Sequence, residues 1–150
     1  MDTKELAALL LFLFSIAAAI FVKNYGGVYA RFPNGAQVKV EIVSDPTEIS
    51  TGLMFRKNIG ENEGMLFSYS YDGYYTIWMK NMNFPIDIIW LSSDLKVVDI
   101  KMSAEPCRQE PCEVYQPAKP ARYVLEVSAN FTMGNKVVIG DEVVIEESFP

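Results

Sequence analysis

Histidine does not occur anywhere in the 150 residues. Without an imidazole there is no Ser-His-Asp or Cys-His machinery, and the commonest zinc ligand is absent. Cysteine occurs only twice, at Cys107 and Cys112. Two thiolates fall short of a structural metal site, so neither a metal nor another cofactor is expected. Lysine and arginine total 13 against 19 acidic residues, and they form no cluster. The net charge of −6 and an isoelectric point near 4.7 argue against nucleic acid or anionic lipid as the main partner, since both need a basic footprint. Disorder is excluded too, because half of the residues are hydrophobic and 13% are aromatic.

What the chain does have, at its start, is a long apolar run. Residues 6–22 carry no charge and a single serine, with Asp2, Lys4 and Glu5 before them and Lys23 after. As a helix the run would span roughly 25 Å, the lower edge for a bilayer core. It fits an uncleaved single-pass anchor, a secretory signal cut near Ala17-Ala18-Ala19, or a buried helix. Its length, and its continuation through Ile20, Phe21 and Val22, favour the anchor. The expected organisation is therefore a membrane or signal segment over 1–25, a linker and turn over 26–35, and one domain over 36–150. That domain would sit on the extracytoplasmic side of the cell membrane, or be secreted if the segment is removed.

Beyond the Phe32-Pro33-Asn34-Gly35 turn signal, residues 36–43 alternate strictly, with Val38, Val40 and Ile42 on one face. That pattern predicts a half-buried strand. Asp45-Pro46-Thr47-Glu48 is a helix start, with a capping aspartate and a proline suited to the first helical position. The helix is expected to end near Phe55. Short β-rich runs then follow at 65–69, 74–79, 86–91, 96–102, 122–128, 137–139 and 142–146, with a proline-rich loop over 104–120 and a possible helical turn capped by Ser128. Strands at this spacing predict a mainly β fold, one sandwich or closed barrel of seven to nine strands with one short helix.

Several polar residues interrupt the apolar runs. Ile77 to Asp87 includes Trp78, Lys80, Asn81 and Asp87, and Glu126 shares a strand face with Val124. A buried carboxylate needs a cation or several N–H donors. The economical arrangement pairs Arg56 or Lys80 with Asp87 or Glu126 beside the Trp78 indole. Such groups either fix loop geometry or line a pocket. Cys107 and Cys112 close a short loop and are expected to form a structural disulfide; paired free thiols or redox chemistry are the alternatives. Asn130-Phe131-Thr132 is a glycosylation sequon, weak support on its own for an outside location. The methionines are scattered, which suits a filled core better than copper.

Taken together, Gly52-Leu53-Met54-Phe55-Arg56, Gly64-Met65-Leu66-Phe67, Trp78-Met79-Lys80-Asn81-Met82, Pro85-Ile86-Asp87-Ile88, Pro111-Cys112 with Tyr115, Ala121 to Glu126 and Gly140-Asp141 resemble domain-of-unknown-function family 192. The blocks run in order from about residue 36 to 146. The resemblance implies a small β-rich domain behind a signal or anchor, and a common cluster of Arg56, Trp78, Lys80, Asn81, Asp87 and Glu126. It implies no established activity. Met82 stands where a threonine is frequent, and Asn130-Phe131 where small residues are usual.

The expected function is a membrane-tethered binding or accessory module, its pocket offering an aromatic face and donors to a glycan, a small molecule or a small anion. A hydrolase using Asp87 and Glu126 as acid and base, and a structural module that holds partners at the membrane, are the alternatives.

Overall fold

Nine strands and two short helices are present among the residues described by the computed structural model, which are Glu5, Leu6 and residues 26–148. Residues 28–146 form one unit; the other is residues 1–27 with 147–150. Apart from Leu6, the apolar run 6–22 expected as a membrane helix lies outside the described residues. Among those described, no helix is long and apolar enough to cross a membrane.

Strand β1, Gly27–Arg31, occupies half of the stretch expected as a linker and turn. It pairs antiparallel with β2, Gln37–Val43, placing Val28 opposite Val40 and Arg31 opposite Gln37. Five residues between a glycine pair and Pro33 are too few for the alternation to stand out. In the intervening turn only Gly35 takes a positive φ, +89°. Asn34 instead uses its side chain, whose Oδ1 accepts from the Ala36 amide at 2.8 Å. Along β2, Val38 and Val40 are buried as expected, but Ile42 is exposed and Val43 buried in its place.

Helix α1, Pro46–Thr51, begins where the capping signal placed it: Asp45 Oδ1 accepts from the Thr47 and Glu48 amides at 2.8 and 3.3 Å. It stops at Gly52 rather than near Phe55, because Gly52 turns to φ +50°, ψ −130°. The helix is a crossover. It delivers the chain to β3, Glu63–Gly73, which lies parallel to β2 with Val43 beside Phe67. The remaining strands are β4 (Ile77–Trp78), β5 (Ile86–Leu91), β6 (Val97–Ala104), β7 (Val114–Tyr115), β8 (Ala121–Ser128) and β9 (Val144–Ser148). Helix α2 is Phe131–Gly134. Asn130 precedes it in the left-handed region without a side-chain cap, and Ser128 Oγ donates to the Glu61 carbonyl instead of capping it. Residues 137–139 are not a strand; Asp141 Oδ2 takes the Val138 amide into a turn.

Seven strands form one open sheet in the order β6-β5-β8-β3-β2-β1-β9, and β4 pairs with β7 in a separate two-stranded sheet. The fold is mainly β as expected, but the sheet is not closed into a barrel: β6 and β9 are its two ends, and an isolated bridge between Lys96 and Glu142 does not close it. The reason lies in burial. Every residue of β5 is buried, because the sheet packs on both faces, and a strand covered on both sides does not alternate. Val38, Leu66, Ile89, Leu125 and Val127 lie in the core on one face. Leu53, Phe67, Met79, Ile88 and Val124 lie in the core on the other. Gly64 permits the close approach of β3 to its neighbours, since an added Cβ would come within 2.8 Å of the Glu126 carbonyl oxygen and 2.9 Å of Val38.

Candidate functional site

Strand pairing decides where the two buried carboxylates point. Across β5 and β8, Asp87 lies opposite Val127 and Ile88 opposite Glu126. Side chains alternate along a strand, so Asp87 belongs with the Val127 face and Glu126 with the Val124 face. The two carboxylates therefore do not share a centre, and Asp87 cannot act with Glu126 as a catalytic pair.

Asp87, 0% exposed, meets its need for partners without a cation. Its Oδ1 accepts from the amides of Ser103 at 2.8 Å and Asn130 at 3.2 Å. Its Oδ2 accepts from the Thr132 amide at 2.8 Å and the Thr132 hydroxyl at 2.5 Å. Four donors to one carboxylate suffice to offset its loss of water. The role is structural: Asp87 ties β6 and α2 onto β5.

The expected cations also go elsewhere. Arg56 Nη2 meets Glu41 Oε2 at 2.7 Å, and Lys80 Nζ meets Glu110 Oε1 at 2.5 Å. Lys80 also lies 5.4 Å from the Trp78 ring centroid. Asn81 holds the 79–85 loop against the end of α1, its carbonyl accepting from the Phe55 amide at 3.0 Å. Its Nδ2 approaches Met54 Sδ at 3.8 Å. Asn130, the sequon residue, is exposed.

Glu126 is the opposite case to Asp87. It is 5% exposed, yet its carboxyl makes no hydrogen bond to any described residue. It lines a cavity of about 180 Å³ together with Gly52, Leu53, Phe67, Tyr69 and Trp78. Among the described lining residues it is the only acidic or basic side chain other than Tyr69. Burial raises its pKa from 4.5 to about 8, and the positive charge of Arg56 offsets only part of this. The cavity thus holds a carboxylic acid at neutral pH, able to donate as well as accept. Tyr69, also pushed up by burial and next by the charge of Glu126, reaches about 12 and stays a phenol.

Each wall of this cavity has a local cause. The left-handed Gly52 leaves open the space a side chain would fill, since an added Cβ would sit 3.1 Å from Phe67 Cζ and 4.0 Å from Glu126 Oε2. Trp90 Nε1 donates to the Tyr75 carbonyl at 2.8 Å, fastening the segment that leads into β4. On the outer side β4 pairs with β7, where Ile77 faces Tyr115. Cys107 and Cys112 are joined, with Cα atoms 5.5 Å apart. The Cys107 amide donates to the Met79 carbonyl at 2.9 Å, linking the disulfide loop to a cavity residue. Among the described residues no three acidic or cysteine side chains gather to hold a metal ion.

Of the six residues expected to cluster, Trp78 and Glu126 line the cavity, Lys80 pairs with Glu110, Asn81 bonds the Phe55 amide, Arg56 acts at a distance through charge, and Asp87 is elsewhere. Gly52, Tyr69, Ser50 and Thr76 also line the cavity and are not among the site residues expected from the sequence. Only Gly52 carried a signal, as a glycine just past a capped helix.

The profile of domain-of-unknown-function family 192, described as "Uncharacterized ACR", matches residues 30–145. No curated protein matches the chain. A solved structure of a protein of unknown function from Novosphingobium aromaticivorans DSM 12444 is 30% identical, covers 78% of this chain and 82% of that one, and has a TM-score of 0.71. A second, from Sinorhizobium meliloti 1021 and described as a "putative transcription regulator", is 29% identical over 79% of this chain and 91% of that one, again with a TM-score of 0.71.

Proposed function

Because the chain belongs to domain-of-unknown-function family 192, which supplies a fold without an activity, we propose its function from the cavity: a binding module for a small uncharged molecule, tethered outside the cytoplasmic face by residues 6–22. The observation that carries this reading is the Glu126 carboxyl, which makes no hydrogen bond to any described residue and lines a partly open cavity with Leu53, Phe67 and Ile86 among its walls. No fully buried side-chain polar atom among the described residues lacks a partner, so the Glu126 carboxyl oxygens open onto the cavity, where an incoming ligand can reach them. A ligand bearing a hydroxyl or amide does so, by accepting from the protonated acid and donating to its carbonyl oxygen. An anion does not suit the cavity, since no cationic side chain is among its described lining residues. Nor does the regulator description of the Sinorhizobium protein carry over, because a net charge of −6 without a basic cluster is a poor match to DNA.

The test is ligand-observed NMR of the full-length protein against a panel of neutral monosaccharides and small amides, at pH 6 and pH 9.5. Ligands are expected to bind at pH 6 and to weaken at pH 9.5, to survive Glu126→Gln and to vanish with Glu126→Leu. Binding indifferent to both substitutions would place the ligand elsewhere and end this reading.

A further inference from the structure

A second cavity, of about 380 Å³, adjoins the first along the ridge where α1 meets β3. Ile49, Ser50 and Tyr69 line both, so the two share a wall. The second differs in chemistry. It contains no charged side chain, and its lining includes four serines and three tyrosines. The hydroxyls of Ser44, Ser68 and Ser70 make no hydrogen bond to any described residue, leaving them available to a ligand. The tyrosines are held in place. Tyr69 and Tyr75 stack with ring centroids 3.4 Å apart and 8° between planes. The Tyr75 hydroxyl donates to the Tyr71 carbonyl at 2.7 Å. Tyr71 is 70% exposed, its ring tilted against that of Tyr75. A large exposed aromatic beside free hydroxyls, with no charge, matches a sugar ring. A sugar presents one face of C–H groups to an aromatic surface and hydroxyls at its edge.

The first cavity complements this shelf. Its apolar walls, among them Leu53, Phe67 and Ile86, accept a methyl group. Its single carboxylic acid pairs with an amide, donating to the C=O and accepting from the N–H. The acetamido substituent of an amino sugar combines a methyl with an amide at that scale, and its ring suits the neighbouring aromatic shelf. We propose that the two cavities are successive subsites for one uncharged acetamido-sugar chain, with the acetamido group of one ring at Glu126 and the next ring on the Tyr71 shelf. This rests on the reading of the Glu126 cavity given above and adds to it both the chemical class and the chain-like form of the ligand. The shared wall sets the two subsites side by side, and a fixed tyrosine stack loses little freedom on binding.

The test is calorimetric titration of the full-length protein at pH 6 with N-acetylglucosamine, its β-1,4-linked disaccharide, glucose, cellobiose and N-acetylalanine methylamide. The acetamido sugars are expected to bind about tenfold more tightly than their glucose counterparts, and the disaccharide about tenfold more tightly than the single ring, each step being one well-made set of contacts. Tyr71→Ala is expected to return the disaccharide to the affinity of the single ring while leaving the single ring unchanged. Equal affinity for one ring and two, or a Tyr71→Ala protein that keeps the difference, would overturn the two-subsite assignment and leave the Glu126 reading standing. Equal affinity for glucose and N-acetylglucosamine would remove the acetamido assignment. Tighter binding of N-acetylalanine methylamide would give the groove to a peptide and overturn the sugar class. No binding by any of these probes, with other neutral ligands still dependent on Glu126, would refute this inference alone; no Glu126-dependent ligand of any kind would refute both.

Discussion

Asp87 and Glu126 sit one register step apart on neighbouring strands, and that step sends their carboxyls to opposite faces of the sheet. On one face four donors hold the carboxylate; on the other no described residue donates to Glu126. Asp87→Ala is therefore expected to destabilise the protein by about 3 kcal/mol, because it strands buried amides of β6 and α2. Urea unfolding measures this. Ligand binding at Glu126, corrected for folded fraction, should not change, and an unaltered unfolding midpoint would show that the donors are not satisfied by Asp87.

Glu126 couples folding to pH. The folded chain keeps a proton that the unfolded chain releases above 4.5, because burial raises the pKa to about 8. The stability this group allows is intact below pH 4.5 and is lost as the pH climbs through 4.5 to about 8, at up to about 1.4 kcal/mol per pH unit. Glu126→Gln should flatten that fall, so that the variant gains on the parent as pH rises. Denaturation at pH 5, 6.5 and 8 compares the two, and parallel profiles would mean that the acid ionises normally.

Gly52→Ala tests the cavity mouth. The φ of +50° with ψ −130° is strained for any L-residue, and the added carbon meets Phe67 at 3.1 Å. A loss of about 1–3 kcal/mol is expected, together with weaker ligand binding as Phe67 is pushed toward Glu126. A melt and an affinity both equal to the parent's would show that this backbone does not shape the cavity.

Much of the fold was legible in the sequence, and what was not has local reasons. Asp45-Pro46 located the start of α1, and the alternation of Val38 and Val40 located β2. Ile86 to Leu91 gave the strand but not its setting: an unbroken apolar run marks burial on both faces, and the open two-sided sheet follows from it rather than a barrel. The site was only half visible. Asp87 and Glu126 look alike as acidic residues in apolar strands, and register alone separates them, which depends on pairing between distant segments. Arg56 and Lys80 resembled buried partners, but long side chains reach exposed glutamates, Glu41 and Glu110, that no spacing rule connects to them. Tyr69 gave no sign of its place between two cavities, because its neighbours there come from α1 and β4.

The disulfide is expected to be local in effect. Cys107 and Cys112 close a loop with a sequence separation of 5, which corresponds to about 2 kcal/mol from chain entropy. The double substitution to serine should lower stability by that amount and raise the exchange rate of the Cys107 amide bonded to Met79. Mass spectrometry of unreduced protein should find the two joined. Two alkylatable thiols, or an unchanged melt for the double variant, would contradict the account.

Carbon-13 NMR of the labelled Glu126 carboxyl, assigned by its loss in Glu126→Gln, measures the protonation state at the centre of all this. Titrated in the folded protein, the resonance is expected to move with a midpoint near 8, and the midpoint should rise further when a neutral ligand accepts its proton in a hydrogen bond. A midpoint near 4.5 would mean a fully hydrated carboxylate, and neither the burial of Glu126 nor the ligand assigned to its cavity would stand.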